Sequence, residues 1–219
     1  LSNALEIPSE VTHIGNAAAM AEMRYGMASG WQDFISASID ADLQCGIVTN
    51  GGLVMGEHGL AGGLGHLLVK TPSGRGSLVD YISEKGIKHA AWRLIGNRPG
   101  YSELKNYSHK ELTAQHVIEA AKLGDKIAQE VFQKLGEVLG LKLSDVMHHF
   151  SPNAFIFNST LPDLTELLLP TAQKYLDQNC LAIFKGKAEL LSSQLDTKTI
   201  SVLGAGAIAW EMLSKKVQQ

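Results

Sequence analysis

The sequence predicts an α/β domain in which three antiparallel strands precede helices that alternate with further strands. Three observations carry this. Ile47-Val-Thr49 and Leu53-Val-Met55 flank an Asn50-Gly51 pair, the strongest short-range signature of a two-residue β-hairpin. Ile127, Val131, Leu135, Val138, Leu139, Val146 and Phe150 recur at three- and four-residue steps, the spacing of an amphipathic helix of about six or seven turns. Ala154-Phe-Ile-Phe157 is a short apolar run bounded by turn residues, as a buried strand requires.

The remaining elements follow in order. Asn16 is suited to cap a helix over Ala17 to Arg24, which Gly26 and Gly30 close. Phe34-Ile-Ser-Ala-Ser-Ile39 alternates apolar and small residues and reads as the first strand, ahead of the two strands around Asn50-Gly51. A glycine-spaced loop runs on to His66, and Leu67-Leu-Val69 predicts a fourth strand. Beyond Pro72 to Gly76 the pattern turns helical, from Val79 past Trp92 to Gly96. Asn97 to Ser108, with Pro99 and Gly100, is aperiodic and reads as a loop. Ser108-His-Lys-Glu111 has capping-box spacing ahead of a helix through Val117 to Leu123 that Gly124 ends. Asp125 caps the long helix and Pro152 stops it. Leu164 to Asn179 predicts a helix, Glu189 to Leu195 a strand, and Ile200 to Lys215 a last helix.

Composition narrows the class. A chain of 219 residues with 45% hydrophobic content can bury one substantial core, and neither a repeat nor a linker divides it, so one domain over 1–219 is expected. A formal net charge of −3 offers no footprint for direct nucleic-acid binding. Cys45 and Cys180 are far apart in apolar segments and read as free, buried thiols of a reducing compartment. With neither a signal sequence nor an eighteen-residue apolar run, a soluble cytoplasmic protein without membrane contact is expected.

The chain resembles the ROK family (repressor, open reading frame, kinase). Its landmarks run in the family's order through Asn16-Ala-Ala-Ala-Met-Ala-Glu22, the loop Ala61-Gly-Gly-Leu-Gly-His66, Lys122-Leu-Gly-Asp125, Ser151-Pro-Asn153 and Gly204-Ala-Gly-Ala207. The resemblance implies the larger, C-terminal lobe of an actin-like (ribonuclease H-like) sugar kinase. The family's first lobe, with its D-x-G-G-T phosphate hairpin, has no counterpart in this sequence. The family's loop has the form A-G-E-x-G-H, whose glutamate and histidine hold the sugar. His66 is therefore the candidate substrate-binding residue, and Gly63 stands where the glutamate would be.

Carried over residue by residue, the family's chemistry is eroded. A sugar kinase needs a carboxylate to accept the hydroxyl proton during phosphoryl transfer; the family's aspartate falls on Ile14 and its neighbouring asparagine on His13. Imidazole is basic enough for that work, but His13 occupies the adjacent position. The glycine-rich phosphate loop falls on Ser38-Ile-Asp-Ala-Asp-Leu-Gln44, placing Asp40 and Asp42 where backbone should cradle phosphate. The two aspartates read as a solvated turn, with an Asp-x-Asp cation site as the alternative. The family's zinc-binding cysteine motif is replaced by Ser73 to Tyr81, with Ser77 at the last cysteine and Val79 at a sugar-binding glutamate, so neither zinc nor another metal is expected. Phe157-Asn-Ser159 replaces the I-G-G turn beneath the adenine ring, and His148-His149 suits a helix C-terminus.

These residues predict a ROK-like protein with no catalytic residue, inactive as given and acting as a regulatory or interaction module. Two other readings stay open: an ATP-dependent hexose or N-acetylhexosamine kinase represented by an incomplete or imperfect sequence, and a sugar-responsive transcription repressor, which needs an upstream helix-turn-helix. No cofactor is expected, or ATP and Mg²⁺ if the kinase reading holds. The expected partners are a sugar and, from the resemblance, a second copy of the chain. Met20, Met23, Ile208, Trp210 and Leu213 are expected to form the apolar contact face.

Overall fold

The computed structural model describes residues 2–9, 11–71 and 74–217. Its main sheet has five strands: β1 (Phe34–Ile39), β2 (Leu43–Thr49), β3 (Gly52–Leu53), β6 (Ala154–Asn158) and β7 (Glu189–Ser192), in the order β3-β2-β1-β6-β7. The first three form the expected antiparallel meander, and β6 and β7 add in parallel to β1. Asn50 and Gly51 both have positive φ, 50° and 72°, as the tight hairpin turn demands. Pairing Leu68–Thr71 (β4) with Gly74–Ser77 (β5) makes a separate two-stranded ribbon.

Strand alternation distributes the core between two faces. Ile35, Ala37, Ile39, Phe155 and Phe157 face α3 (Leu78–Ile82), α4 (Glu84–Asn97), α5 (Ala114–Lys122), α6 (Lys126–Phe150) and α7 (Leu164–Asn179), forming the larger hydrophobic cluster. Phe34, Val48 and Ile156 face α2 (Ile14–Tyr25) and meet Ala19. α8 (Ile200–Val217) lies on α2, and α1 (Ser2–Leu5) is a single turn. Gly204 lets the two long helices meet backbone to backbone, since a Cβ there would stand 1.7 Å from the Ala17 carbonyl oxygen. The long helix forms as its periodicity predicts; the Asp125 carboxylate accepts from the Ile127 and Ala128 N–H groups at 2.9 and 3.0 Å, and Ser151 ends it in the left-handed region.

Several local expectations need correction. α2 starts two residues before Asn16, because His13 is extended and its Nδ1 accepts from the Gly15 N–H at 3.3 Å. Asn16 is instead buried inside the helix, where its amide reaches Met55 Sδ at 3.3 Å. The helix expected from Val79 to Gly96 is two helices, broken at Ser83, whose extended backbone restarts the chain and whose hydroxyl accepts from the Gly86 N–H. Glu111 does accept from Ser108, yet that pair only closes a turn; α5 begins after Thr113, capped reciprocally with His116. The fourth strand pairs in the ribbon rather than the sheet, and β7 stops at Ser192 instead of reaching Leu195. Met20 is buried rather than part of an exposed face, because α8 covers α2; Trp210 and Leu213 on α8 stay exposed, at 71% and 56%. Cys45 and Cys180 are both free and buried. Among the described residues no helix is long and apolar enough to cross a membrane.

Candidate functional site

Three backbone contacts made possible by glycines bring the candidate residues together around Cys45. A Cβ on Gly15 would lie 2.5 Å from the Cys45 carbonyl, and one on Gly46 would lie 2.3 Å from the Gly15 carbonyl, so the first turn of α2 sits directly on β2. Gly62, with φ of 100°, crosses β2 from the loop side; a Cβ there would be 2.2 Å from the same Cys45 oxygen. The Cys45 thiol donates to the Gly62 carbonyl at 3.0 Å, and burial pushes its pKa up to about 11. Gly65 anchors the other end of the loop against Leu43. Between these anchors, Leu64–His66 forms a single 3₁₀ turn that presents His66 to solvent.

The positions that the resemblance assigns to the sugar do converge. A Cβ on Gly63 would stand 3.9 Å from the His66 ring, and one on Gly65 would stand 3.3 Å from Val79 Cβ. Asp42 is exposed and held below its ordinary pKa, first by the Gln44 amide, then by the Leu43 N–H, with His66 and His13 adding from nearby. Asp80 is lowered in the same direction, chiefly by the Ser77 hydroxyl and N–H, with Lys85 and His66 contributing. His66 thus lies within electrostatic reach of two carboxylates, one on each side of the loop. Ile14 is half exposed at the start of α2 and brings no polar atom to this opening. No three His, Cys, Asp or Glu side chains among the described residues are grouped to hold a metal ion.

The nucleotide side is built differently. Asp40 Oδ1 accepts from the Thr160 N–H and hydroxyl, both at 2.7 Å, and from the Ser159 hydroxyl at 3.4 Å. Ser159 Oγ also donates to the Ile39 carbonyl at 2.5 Å, while the Asp40 carbonyl accepts from the Glu84 N–H at 3.1 Å. The turn after β1, the turn after β6 and the start of α4 are therefore joined through one residue. Asp40 is partly buried in this joint rather than lying in a solvated turn; Asp42 alone fits that expectation. Thr160, Asp40's principal partner, was missed by the sequence reading, and its only signal was a Ser-Thr pair after an apolar strand.

A model of the ROK family matches residues 1–212. The chain belongs to the ROK family. Its curated relatives include regulators and kinases. It is 24% identical over 214 residues to the DNA-binding transcriptional dual regulator NagC of Escherichia coli, covering 95% of this chain and 51% of NagC. It is 26% identical over 213 residues to the glucokinase of Thermotoga maritima, covering 90% of this chain and 64% of that enzyme. The chain thus spans about half the length of the NagC regulator. Among solved structures, a ROK family glucokinase from Streptomyces griseus in complex with glucose and AMPPNP superposes with a TM-score of 0.82 at 26% identity, covering 94% of this chain and 70% of that one. The α/β actin-like ROK sugar-kinase fold read from the sequence is the fold of this protein.

The positions that the resemblance gives to the nucleotide carry side chains where the family has glycines. The segment aligned with the phosphate loop carries Asp40, whose carboxylate accepts from Thr160, the residue after the Phe157-Asn-Ser159 turn. Asn158, in place of the first glycine of that turn, is buried with its amide nitrogen unpartnered.

Proposed function

We propose that this chain is a non-catalytic ROK module that binds a sugar beside His66 and uses the bound state to regulate a partner. The observation that carries the reading is the Asp40–Thr160 joint, in which an acidic side chain takes the amide and hydroxyl donors of the adenine-side turn. A polyphosphate brought to this edge would meet negative charge, and Coulomb repulsion there is weakly screened because Asp40 is partly buried. Ile14 removes the proton acceptor from the reaction, since a hydrocarbon side chain cannot perform general-base catalysis.

The sugar side supports binding without turnover. His66 is exposed on a loop held at both ends by backbone contact, so its backbone is set before any ligand arrives. Asp42, exposed and close enough to His66 to feel its charge, would serve as a hydroxyl acceptor. Gly63 and Val79 withdraw two glutamate contacts and leave room for a bulkier or less polar sugar than the parent site takes. Both regulators and glucokinases match over nearly the whole chain, so the choice of regulation rests on Ile14 and the Asp40–Thr160 joint, and a segment binding DNA would lie outside these residues. We extend the proposal to the domain organisation: residues 1–219 act as one sugar-binding lobe, with the exposed Trp210 and Leu213 as its contact with another protein surface, a second copy included.

Calorimetric titration with ATP, glucose and N-acetylglucosamine tests the reading. Heat of binding from a sugar but none from ATP, together with loss of sugar binding in His66→Ala, is the expected result. ATP-dependent phosphorylation of any hexose by the purified chain would overturn it.

A further inference from the structure

We propose that the cleft between β5 and α4 is a binding site for a phosphate-type oxyanion. Its walls are Arg75 and Gly76 from β5, Asp80 and Tyr81 from α3, and His89 and Arg93 from α4, enclosing about 310 Å³. Lys85, His89 and Arg93 recur every four residues along α4 and so form one stripe on its surface. Arg75 faces them from the ribbon across the cleft.

What sets this cleft apart is that two arginines and a histidine line it together, with Lys85 and Lys88 also on α4. The four ion pairs among the described residues engage Arg98, Lys122, Lys134 and Lys142, leaving Arg75, Lys85, Lys88 and Arg93 outside them. The one carboxylate lining the cleft, Asp80, is turned to its own helix start, where Oδ2 accepts from the Ser77 hydroxyl at 2.5 Å and the Ser77 N–H at 3.2 Å. Lys85 and Arg93 bracket His89 on one face of the helix, with Arg75 opposite.

His89 registers the same field. Its imidazole is held below the ordinary value, first by burial and then by Lys85, His109 and Lys88. His109 stacks on it with ring centres 6.2 Å apart and is itself edged by Trp92 at 5.1 Å. An oxyanion seated between the two guanidiniums would take forked hydrogen bonds from each, the geometry in which arginine binds phosphate best. The anion would also favour protonated His89, turning a ring that its cationic neighbours now hold toward the neutral form into a third donor. Net charge of −3 for the whole chain makes a cationic cleft of this kind a local construction rather than a by-product of a basic protein.

Histidine-ring NMR on the intact chain tests the assignment, with inorganic phosphate, glycerol 3-phosphate and chloride titrated at matched ionic strength. Saturable displacement of the His89 and His109 resonances by phosphate, with an upward move of the His89 titration midpoint, is expected. Arg75→Ala and Arg93→Ala, both at exposed positions, should each weaken that response about tenfold, the loss expected of one charge-assisted hydrogen bond. Arg93→Lys should recover part of it. A response to glycerol 3-phosphate alone would assign the site to phosphoesters, and a response to both would assign it to the phosphate group itself. If chloride moves the resonances as far as phosphate does, or if the alanine variants respond like the parent while keeping its circular dichroism, the cleft is not a site.

Discussion

The two halves of the ROK ligand cleft have diverged by different routes in this chain. On the sugar side the scaffold is intact: Gly15, Gly46, Gly62 and Gly65 still press α2 and the loop onto β2, and His66 still stands at the rim, while the side chains at 14, 63 and 79 have lost their polar atoms. On the nucleotide side the side chains have gained polarity, and Asp40 uses it to tie the two turns together. Removing a functional group leaves a socket; adding hydrogen bonds across a cleft closes it. On the proposed reading the first change alters which ligand would fit, and the second would exchange a ligand for internal stability.

The largest effect should come from breaking the shared scaffold. Gly46→Ala would push a methyl to within 2.3 Å of the Gly15 backbone, where no rotamer relieves the clash. Thermal unfolding should fall by roughly 10 °C, corresponding to about 3 kcal/mol of overpacking in a chain of this size. Sugar binding should disappear along with the stability.

Asp40→Ala comes next and separates the two sides. It removes two hydrogen bonds whose Thr160 donors can turn to water, so unfolding by denaturant should show a loss of about 1 kcal/mol. Sugar affinity should be unchanged, because the His66 loop does not use this joint. Asp40→Gly sharpens the point: nucleotide binding gained by that variant would show the carboxylate to be the sole obstacle, whereas none is expected while Asn158 and Ser159 still occupy the adenine turn.

Much of this architecture was legible in the sequence, for reasons specific to each element. The Asn50-Gly51 hairpin and the Asp125-capped helix were readable because turn chemistry, capping and periodicity all agree there. The start of α2 was not, because a histidine nitrogen did the work that Asn16 was better suited to do by residue type. The break at Ser83 was hidden because apolar residues lie on both sides of it, Leu78 and Ile82 before and Ile87, Ala90 and Leu94 after, and a lone serine between them carries no stop signal. Within the candidate site, His66 and its loop were legible from glycine spacing and resemblance. The role of Asp40 depended on a contact 120 residues away in the chain, which local pattern cannot supply.

Acid titration offers a comparable effect remote from both sides. Asp125 is partly desolvated by burial, which raises its pKa, but hydrogen bonds from Ser102 and from the Ala128, Glu103 and Ile127 N–H groups outweigh this and leave it below the ordinary value of 3.8. A carboxylate lowered on folding stabilises the protein above its unfolded pKa and loses that contribution as pH falls through its folded value. Asp125→Ala should therefore cost about 1 kcal/mol near neutral pH, as loss of a helix cap does, with the difference from the parent shrinking below about pH 4. A constant difference from pH 7 to pH 2 in paired denaturation curves would contradict this.

The smallest expected effect on the fold is that of Trp210→Ala. The ring is 71% exposed, so stability should move by less than about 0.5 kcal/mol. Any self-association seen by sedimentation should weaken much more than the fold does, since exposed tryptophan contributes to contacts rather than to the core.

The Cys45 thiol makes the loop's motion countable. Its sulfur is covered by Gly62, and a pKa near 11 leaves almost no thiolate at neutral pH, so in the closed state it is inert to alkylating reagents. Labelling then requires the Gly62–His66 segment to lift away from β2, and the rate of covalent capture becomes a clock for that opening. A ligand gripped by His66 would slow the clock without needing to change the closed conformation. One buried atom thus converts an invisible fluctuation at the rim of the cleft into a chemical yield.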